Sequence, residues 1–488
     1  GGLYVLTTAD CIRFIHAGNR NASSLSIKSV LWTIYITGLA EAIFVTLQLM
    51  DIFPSRPVIY VFTGSFANPS IASMLFSVAI PIGLYFTNEI RKKRIRYIVL
   101  FTSLYMFSLV LVCVCRTGIL AVLISSFIVL FTCNNNIHRI ISRKYLYIGL
   151  ALFSMVMLYV MYLVKPDSVN GRTLIWTVAM DMISDRPWLG YGSDGFNASY
   201  MTCQAKYFRD NPDSPFSLLA DNACSLYNEF LHITIICGIA GLFTFLIILY
   251  VVFLLIRKSP QRYRKILYGL YSTILIWSVT YFPFNVPFVW VLCVSLIIAM
   301  VVASEIGYKM KGLLYISFVT IFSLYLFLNI KTIYYKVQWH IIQGKSLKGE
   351  TVQMLPSYSK LYNHLKGDMD FLYNYGAELH YVGKYTESLK ILNECSVIYN
   401  DYNVQMLIAD DYAKLGYADS AIVNFRFASD MIPNRFLPLY HIMQIHISRD
   451  DYIHAKEIAR EILNKPVKIK NSKSVERIRE DAYSLLRE

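Results

Sequence analysis

The stretch GRTLIWTVAMDMISDRPWLGYGSDGF, Gly171 to Phe196, carries two arginines, three aspartates and a glycine-rich turn. The chain on either side of it is oily. Hydrocarbon offers no partners for so many charges, so this stretch is expected to stand outside a bilayer, between helices that cross it. That reading makes the protein all-α, with a polytopic helical membrane domain interrupted by a large external loop.

Composition agrees. The 488 residues are 56% hydrophobic, with 16% charged and a mean hydropathy of +0.45; a soluble protein carries roughly a quarter charged residues. Much of the net charge of +14 sits in short clusters between apolar runs, Arg91-Lys92-Lys93-Arg94 with Arg96, and Arg257-Lys258 with Arg262, Arg264 and Lys265. Such clusters hold loops on the cytoplasmic side. Nucleic acid is therefore not expected as a partner, whereas membrane lipids are.

Spanning helices are expected near Val30–Met50, Ile71–Phe86, Ile98–Val114, Gly118–Thr132, Tyr145–Val164, Phe230–Ile256, Ile266–Phe282, Phe288–Ala303 and Gly312–Ile330. Placing Asn88–Tyr97 inside also puts Asn134–Lys144, Arg257–Lys265 and the Lys309/Lys311 turn inside. Asp51–Ser70, Lys165–Glu229 and everything after Ile330 then lie outside. In a Gram-negative bacterium this means a multi-pass inner-membrane protein with its loop and C-terminal region in the periplasm. The opening GGLYVLTTADCIRF reads as the end of an earlier apolar segment, so further helices are expected ahead of Gly1, and no cleavable signal peptide is read.

The domain division follows: 1–330 is the membrane domain, with the external loop 165–229, and 331–488 is a soluble helical tail. That tail repeats every 33 to 34 residues. Gly383, Gly416 and Asp450 mark equivalent turns, Ser388, Ala421 and Ala455 equivalent small positions, and Pro433 and Pro466 close two units. YNYGAELHYVGKYTESLKILNECS and LIADDYAKLGYADSAIVNFRFASDMIP resemble tetratricopeptide units, and Leu347–Tyr362 is expected to add a capping helix. An α-solenoid of this kind binds a partner along its surface.

Of the nine cysteines, most lie in or near the apolar helices. Cys203 and Cys224 both fall in the external loop, where an oxidising compartment would let them pair; two free thiols are the alternative.

The loop and its neighbours resemble the O-antigen ligase/polymerase family of membrane glycosyltransferases. The resemblance rests on PWLGYGSDGF (Pro187–Phe196), led by Arg172 and Trp176, and on SLYNEFLHITIICGIAGL (Ser225–Leu242) with its Gly-Ile-Ala-Gly turn. Upstream, GSFANPSIASMLFSVAIP (Gly64–Pro81) and CRTGILAVLISSF, which places Arg116 at a helix start, are similar to two further family segments. The resemblance covers about Gly64 to Leu242. It implies an inverting transferase, independent of metals and cofactors, that moves a preassembled glycan from a polyprenyl diphosphate carrier. The acceptor would be a lipid A core, a protein hydroxyl or another glycan. A polymerase of the same family shares the motifs.

The residue types suit that chemistry. A diphosphate leaving group gathers negative charge as the glycosidic bond breaks, and guanidinium groups bind it with paired hydrogen bonds. Arg116 and Arg172 are the first candidates and Arg186 the third, against the alternative that an arginine at a helix end simply reaches the headgroups. Gly190, Gly192 and Gly195 are expected to shape the backbone, with Asn228 beside them. The family places a histidine before that asparagine as the base that deprotonates the acceptor. This chain carries Tyr227 there, a poor base at neutral pH. Either Glu229, Asp221, Asp194 or His232 takes the proton, with Glu229 favoured, or this branch needs less base assistance. No metal-ligand spacing is evident.

Two other classes compete. A transporter or flippase needs inverted repeats and mid-membrane ionisable groups; no repeat is visible there, and Glu41 is the main acidic residue in a predicted span. A non-catalytic envelope scaffold needs neither some nine spans nor the arginine and glycine loop.

Overall fold

The computed structural model describes residues 20–55, 60–66, 68–133, 155, 159, 166–223, 225–303, 308–469 and 471–487. Among them the fold is all helical, with no strand. Packing divides the chain into two compact units. One takes the described residues of Gly1–Lys165 with Tyr227–Phe230 and Phe243–Val319; the other takes Pro166–Leu226, Leu231–Leu242 and Thr320–Glu488.

The first unit contains the helices α1 (Arg20–Leu49), α2 (Pro69–Glu89), α3 (Lys93–Val112) and α4 (Arg116–Cys133). Further along the chain come α7 (Glu229–Lys258), of which Leu231–Leu242 belongs to the second unit, α8 (Gln261–Thr280) and α9 (Pro287–Ala303). Among the described residues, Ile27–Leu49, Pro69–Glu89, Lys93–Val112 and Glu229–Lys258 are long and apolar enough to cross a membrane, and Arg116–Leu130 and Pro287–Val301 are shorter apolar helices. The expected span Tyr145–Val164 lies outside the described residues. This is a membrane protein.

Helix α2 starts at Asn68-Pro69 for a local reason. The Asn68 side chain accepts the Ser70 amide at 2.8 Å, and proline at the first helical position has no amide to leave unpaired. The helix then buries fourteen of its residues, from Ala72 to Phe86, so it forms the centre of the unit rather than its lipid face. Gly118 lets α4 approach it closely: a β-carbon there would stand 2.0 Å from the Ser73 hydroxyl.

Glu41, the acidic residue in α1, is buried for structural reasons. Its carboxylate accepts the Ser65 amide at 2.6 Å and the Ser65 hydroxyl at 2.7 Å. Two turns further, Gln48 accepts the amides of Thr63 and Gly64 at 2.9 and 2.7 Å. Both side chains pin the Thr63–Ser65 turn, an irregular backbone that would otherwise leave buried amides without partners.

The second unit joins the external segment to the tail. Its loop helices are α5 (Pro166–Asp185) and α6 (Gly195–Asp210). The tail begins with the end of the long helix α10 (Tyr308–Lys345), then a first repeat of α12 (Met369–Tyr381) and α13 (Tyr385–Ile398), preceded by α11 (Thr351–Leu365). Two more pairs follow, α14 (Tyr402–Lys414) with α15 (Ala418–Met431) and α16 (Leu437–Ser448) with α17 (Tyr452–Asn464), closed by α18 (Lys473–Arg487).

The repeat frame holds in detail. Gly383, Gly416 and Asp450 all adopt the left-handed backbone, with φ of 79°, 85° and 57°, and Ser388, Ala421 and Ala455 are fully buried where the paired helices touch. Ser388 also donates across its pair to the Gly376 carbonyl at 3.0 Å.

By packing, Pro166–Leu226 groups with the tail, whereas the sequence reading assigned it, as a loop, to the membrane region 1–330. The reason is a shared core and a polar seam. Met431 and Ile432 of the tail are buried with Leu174, Val178, Phe196, Tyr200 and Phe208 of the loop. Around them the Asn400 amide donates to the Asn197 carbonyl at 3.0 Å, and Gln204 donates to the Met431 carbonyl at 2.7 Å. Asn222 donates to the Asp401 carboxylate at 2.8 Å. Asn434, also buried, donates to the carbonyls of Ser217, Leu218 and Ala220 at 3.1, 3.3 and 2.7 Å.

Candidate active site

In the second unit the two glycine motifs meet. The re-entering helix α7 is broken at Gly238, which takes φ 67° and ψ −169°. A break frees backbone groups that must find partners inside a membrane protein. The turn Pro187–Gly192 supplies them. Tyr191 and Gly192 donate their amides to the carbonyls of Ile235 and Ile236 at 2.7 and 2.9 Å, and Ile239 donates to the Pro187 carbonyl at 2.8 Å. Side chains cannot fit between such close backbones. A β-carbon on Gly190 would stand 2.4 Å from the Ile235 carbonyl oxygen, and one on Gly238 would stand 2.1 Å from that of Trp188.

Trp176 fixes the end of the loop by donating from its indole to the Leu226 carbonyl at 2.8 Å. Arg172 sits half-buried on the same helix. Arg186 is exposed, its guanidinium 4.6 Å from the Tyr191 ring and 3.6 Å from the Asp185 carboxylate, which also accepts the Tyr191 hydroxyl at 2.7 Å. The Asp185 bond and burial push the Tyr191 hydroxyl above the ordinary phenol range, with burial the larger cause. Asp194 is exposed at the start of α6, where Ser193 donates to it at 3.3 Å. Gly192 has a φ of 86° and Gly195 is buried under the Tyr191 side chain. His232 is half-buried, its ring edge-on to Phe196 at 6.2 Å. Asp221 pairs with Arg435 of the tail at 3.3 Å. Cys203 is half-buried, and the other cysteine of the expected pair, Cys224, lies outside the described residues.

In the first unit, Arg116 opens helix α4 and is half-buried. Tyr227 has a φ of 50°, a left-handed backbone that a bulky side chain adopts only when its surroundings impose it. Its ring lies 5.8 Å from that of Phe282 and 6.2 Å from that of Tyr281. One aromatic cluster around Trp277 and Tyr281 receives Ile71 from the upstream segment, Cys115 beside Arg116, and Tyr227. Three of the sequence motifs thus pack on one cluster.

Glu229, the first residue of α7, is 3% exposed, and the backbone of Phe284 hydrogen-bonds to it. Its Oε2 has no hydrogen-bond partner among the described residues. A buried carboxylate with one oxygen unengaged can take a proton from a hydroxyl brought against it. The sequence reading missed the supporting side chains Gln48, Gln204 and Asn434, because polar residues holding distant backbone leave no local pattern.

The comparison with family models agrees with the resemblance. The family model described as O-Antigen ligase matches residues 58–246. No curated protein matches the chain. Among solved structures, two crystal structures of MamA are similar over part of the chain. One has 14% identity, covering 33% of this chain and 89% of that one with a TM-score of 0.26. The other has 13% identity, covering 30% and 89% with a TM-score of 0.24. The family match supports a glycan-transferring function in the membrane, and residues 58–246, which hold both glycine motifs, Arg116, Arg172 and Glu229, form a domain of the O-antigen ligase family.

Proposed function

We propose that the protein transfers a preassembled glycan from a polyprenyl diphosphate carrier to an acceptor hydroxyl on the periplasmic face of the inner membrane, with inversion and without a metal. Arg116 and Arg172 bind the diphosphate and stabilise the charge that grows on it as the glycosidic bond breaks. Glu229 takes the proton of the acceptor hydroxyl, in place of the histidine that Tyr227 replaces. Asn228 and the turn glycines shape the backbone around these groups. The observation that carries this reading is the aromatic cluster that receives Cys115, beside Arg116, together with Tyr227, two residues ahead of Glu229, whose Oε2 is unengaged among the described residues.

The acceptor is a lipid A core, a protein or the end of another glycan, and the last case is a polymerase. The tail is proposed to take that acceptor or a protein partner of the glycan pathway. The Glu41 geometry disfavours a transporter, since its carboxylate is spent on the Ser65 turn.

The test is complementation of cells lacking the protein with wild type, Arg172→Ala, Arg116→Ala or Glu229→Gln. Acceptor-linked glycan is resolved by size and lipid-carried glycan is quantified beside it. Each variant, once shown to be expressed, is expected to accumulate carrier-linked glycan. Loss of all linked material identifies ligation, and shortening to single units identifies polymerisation. Wild-type behaviour of all three variants sinks the assignment.

A further inference from the structure

The third repeat of the tail carries a side-chain set that the first two lack. His446 near the end of α16, Asp451 in the turn and His454 in the first turn of α17 bring one ligand atom each to within 4.8 Å of one another. Both histidines present Nδ1 to a single carboxylate oxygen, His446 at 2.9 Å and His454 at 2.8 Å from Asp451 Oδ2. Their rings face each other 5.4 Å apart with an interplanar angle of 25°.

The repeat itself supplies the control. The three turns share one backbone: Lys384, Tyr417 and Asp451 donate their amides to the carbonyls of Leu379, Tyr412 and His446. The positions equivalent to His446, Asp451 and His454 are therefore Leu379, Lys384 and Glu387 in the first repeat, and Tyr412, Tyr417 and Ser420 in the second. The turn folds twice without a histidine at either of these two positions, so its backbone does not demand the set. Asp451 does cap its helix, accepting the His454 amide at 3.3 Å, but capping uses the carboxylate and neither ring.

We propose that His446, Asp451 and His454 bind a divalent transition-metal ion of the zinc class, which staples the turn of the third repeat. Two imidazole nitrogens and a carboxylate oxygen are the donors such ions take, with water completing a tetrahedron. Donors on one zinc ion stand about 3.3 Å apart at bond lengths of about 2.0–2.1 Å, so an ion replacing the two Nδ1–Oδ2 hydrogen bonds would widen each by roughly 0.4–0.5 Å; the three donor atoms already lie within 4.8 Å of one another. The side chains are 15%, 34% and 61% exposed for His446, Asp451 and His454, so the ion reaches the site from solvent without unfolding the helix pair. This site is separate from the glycan-transfer residues and does not depend on their assignment.

The experiment is equilibrium dialysis of the full-length protein in detergent, first stripped with a chelator, against Zn²⁺. His454→Ser and His446→Tyr install the residues that the second repeat already carries. Wild type is expected to bind one equivalent and to gain thermal stability, and His454→Ser to weaken binding about tenfold or more. His454 is exposed, so that variant decides the question even if His446→Tyr fails to fold. Absence of zinc binding by wild type, or unchanged binding by His454→Ser, overturns the proposal.

Discussion

Gly190 and Gly238 meet backbone to backbone: a β-carbon on Gly190 would lie 2.7 Å from the Gly238 amide nitrogen. Both have left-handed φ, 68° and 67°. Gly190→Ala and Gly238→Ala should therefore each lose about 1–2 kcal/mol to φ alone, before the clash is counted. Little folded protein is expected from either, read as the yield of monodisperse protein in detergent. Gly192→Ala is the comparison. Its φ is 86° but nothing stands within 4 Å of its β-carbon position, so it should fold with the backbone cost alone.

Asn434 ties the tail to the loop through three carbonyls. Asn434→Ala leaves those acceptors short of a donor in a buried seam, which costs about 1–3 kcal/mol. Hydrogen exchange should rise in residues 211–223 more than in the third repeat. By contrast the exposed pair Arg209–Asp430, at 3.0 Å, should be worth under about 1 kcal/mol, and Arg209→Ala should leave that exchange nearly unchanged.

Trp176→Phe keeps an aromatic ring but removes the indole donor from the Leu226 carbonyl. The lost hydrogen bond should cost about 1 kcal/mol. Leu226 is the residue just ahead of Tyr227, so transfer should fall more than stability does. A variant with full transfer at wild-type stability would show that the bond does not position the loop end.

His380 sits between two carboxylates, 2.8 Å from Asp411 and 3.3 Å from Asp410. The hydrogen bond to Asp411 raises its pKa above the ordinary histidine value, with the two negative charges adding to it and burial opposing. A raised folded pKa favours the folded state when the ring is protonated. That stabilisation is full below the unfolded value of about 6.5 and is lost as pH rises through the folded one. Exchange in Met369–Lys414 should therefore quicken as pH is raised from about 6 to about 8, after correction for intrinsic rates, and His380→Gln should flatten the dependence.

Four of the expected spans, the repeat and the motifs were legible because each leaves a local signature. Apolar runs such as Phe230–Ile256 announce burial in lipid by composition, and Gly383, Gly416 and Asp450 recur at the period of a helix pair because each pair must turn at the same place. Arg116 and Arg172 stood out because charge beside apolar helices is costly unless used. The sequence alone thus determined that this is an all-helical membrane protein with a repeat tail, and which residue types could meet a diphosphate.

Tertiary structure decided the rest. That Pro166–Leu226 packs with the tail follows from Met431 and Ile432 sharing a core with Phe196 and Tyr200, more than 200 residues away in the chain. That Gly190 answers Gly238 follows from a helix break whose freed amides and carbonyls had to be paired by another segment. No window of sequence shows such pairings, because a hydrogen bond between distant backbones uses atoms that every residue carries.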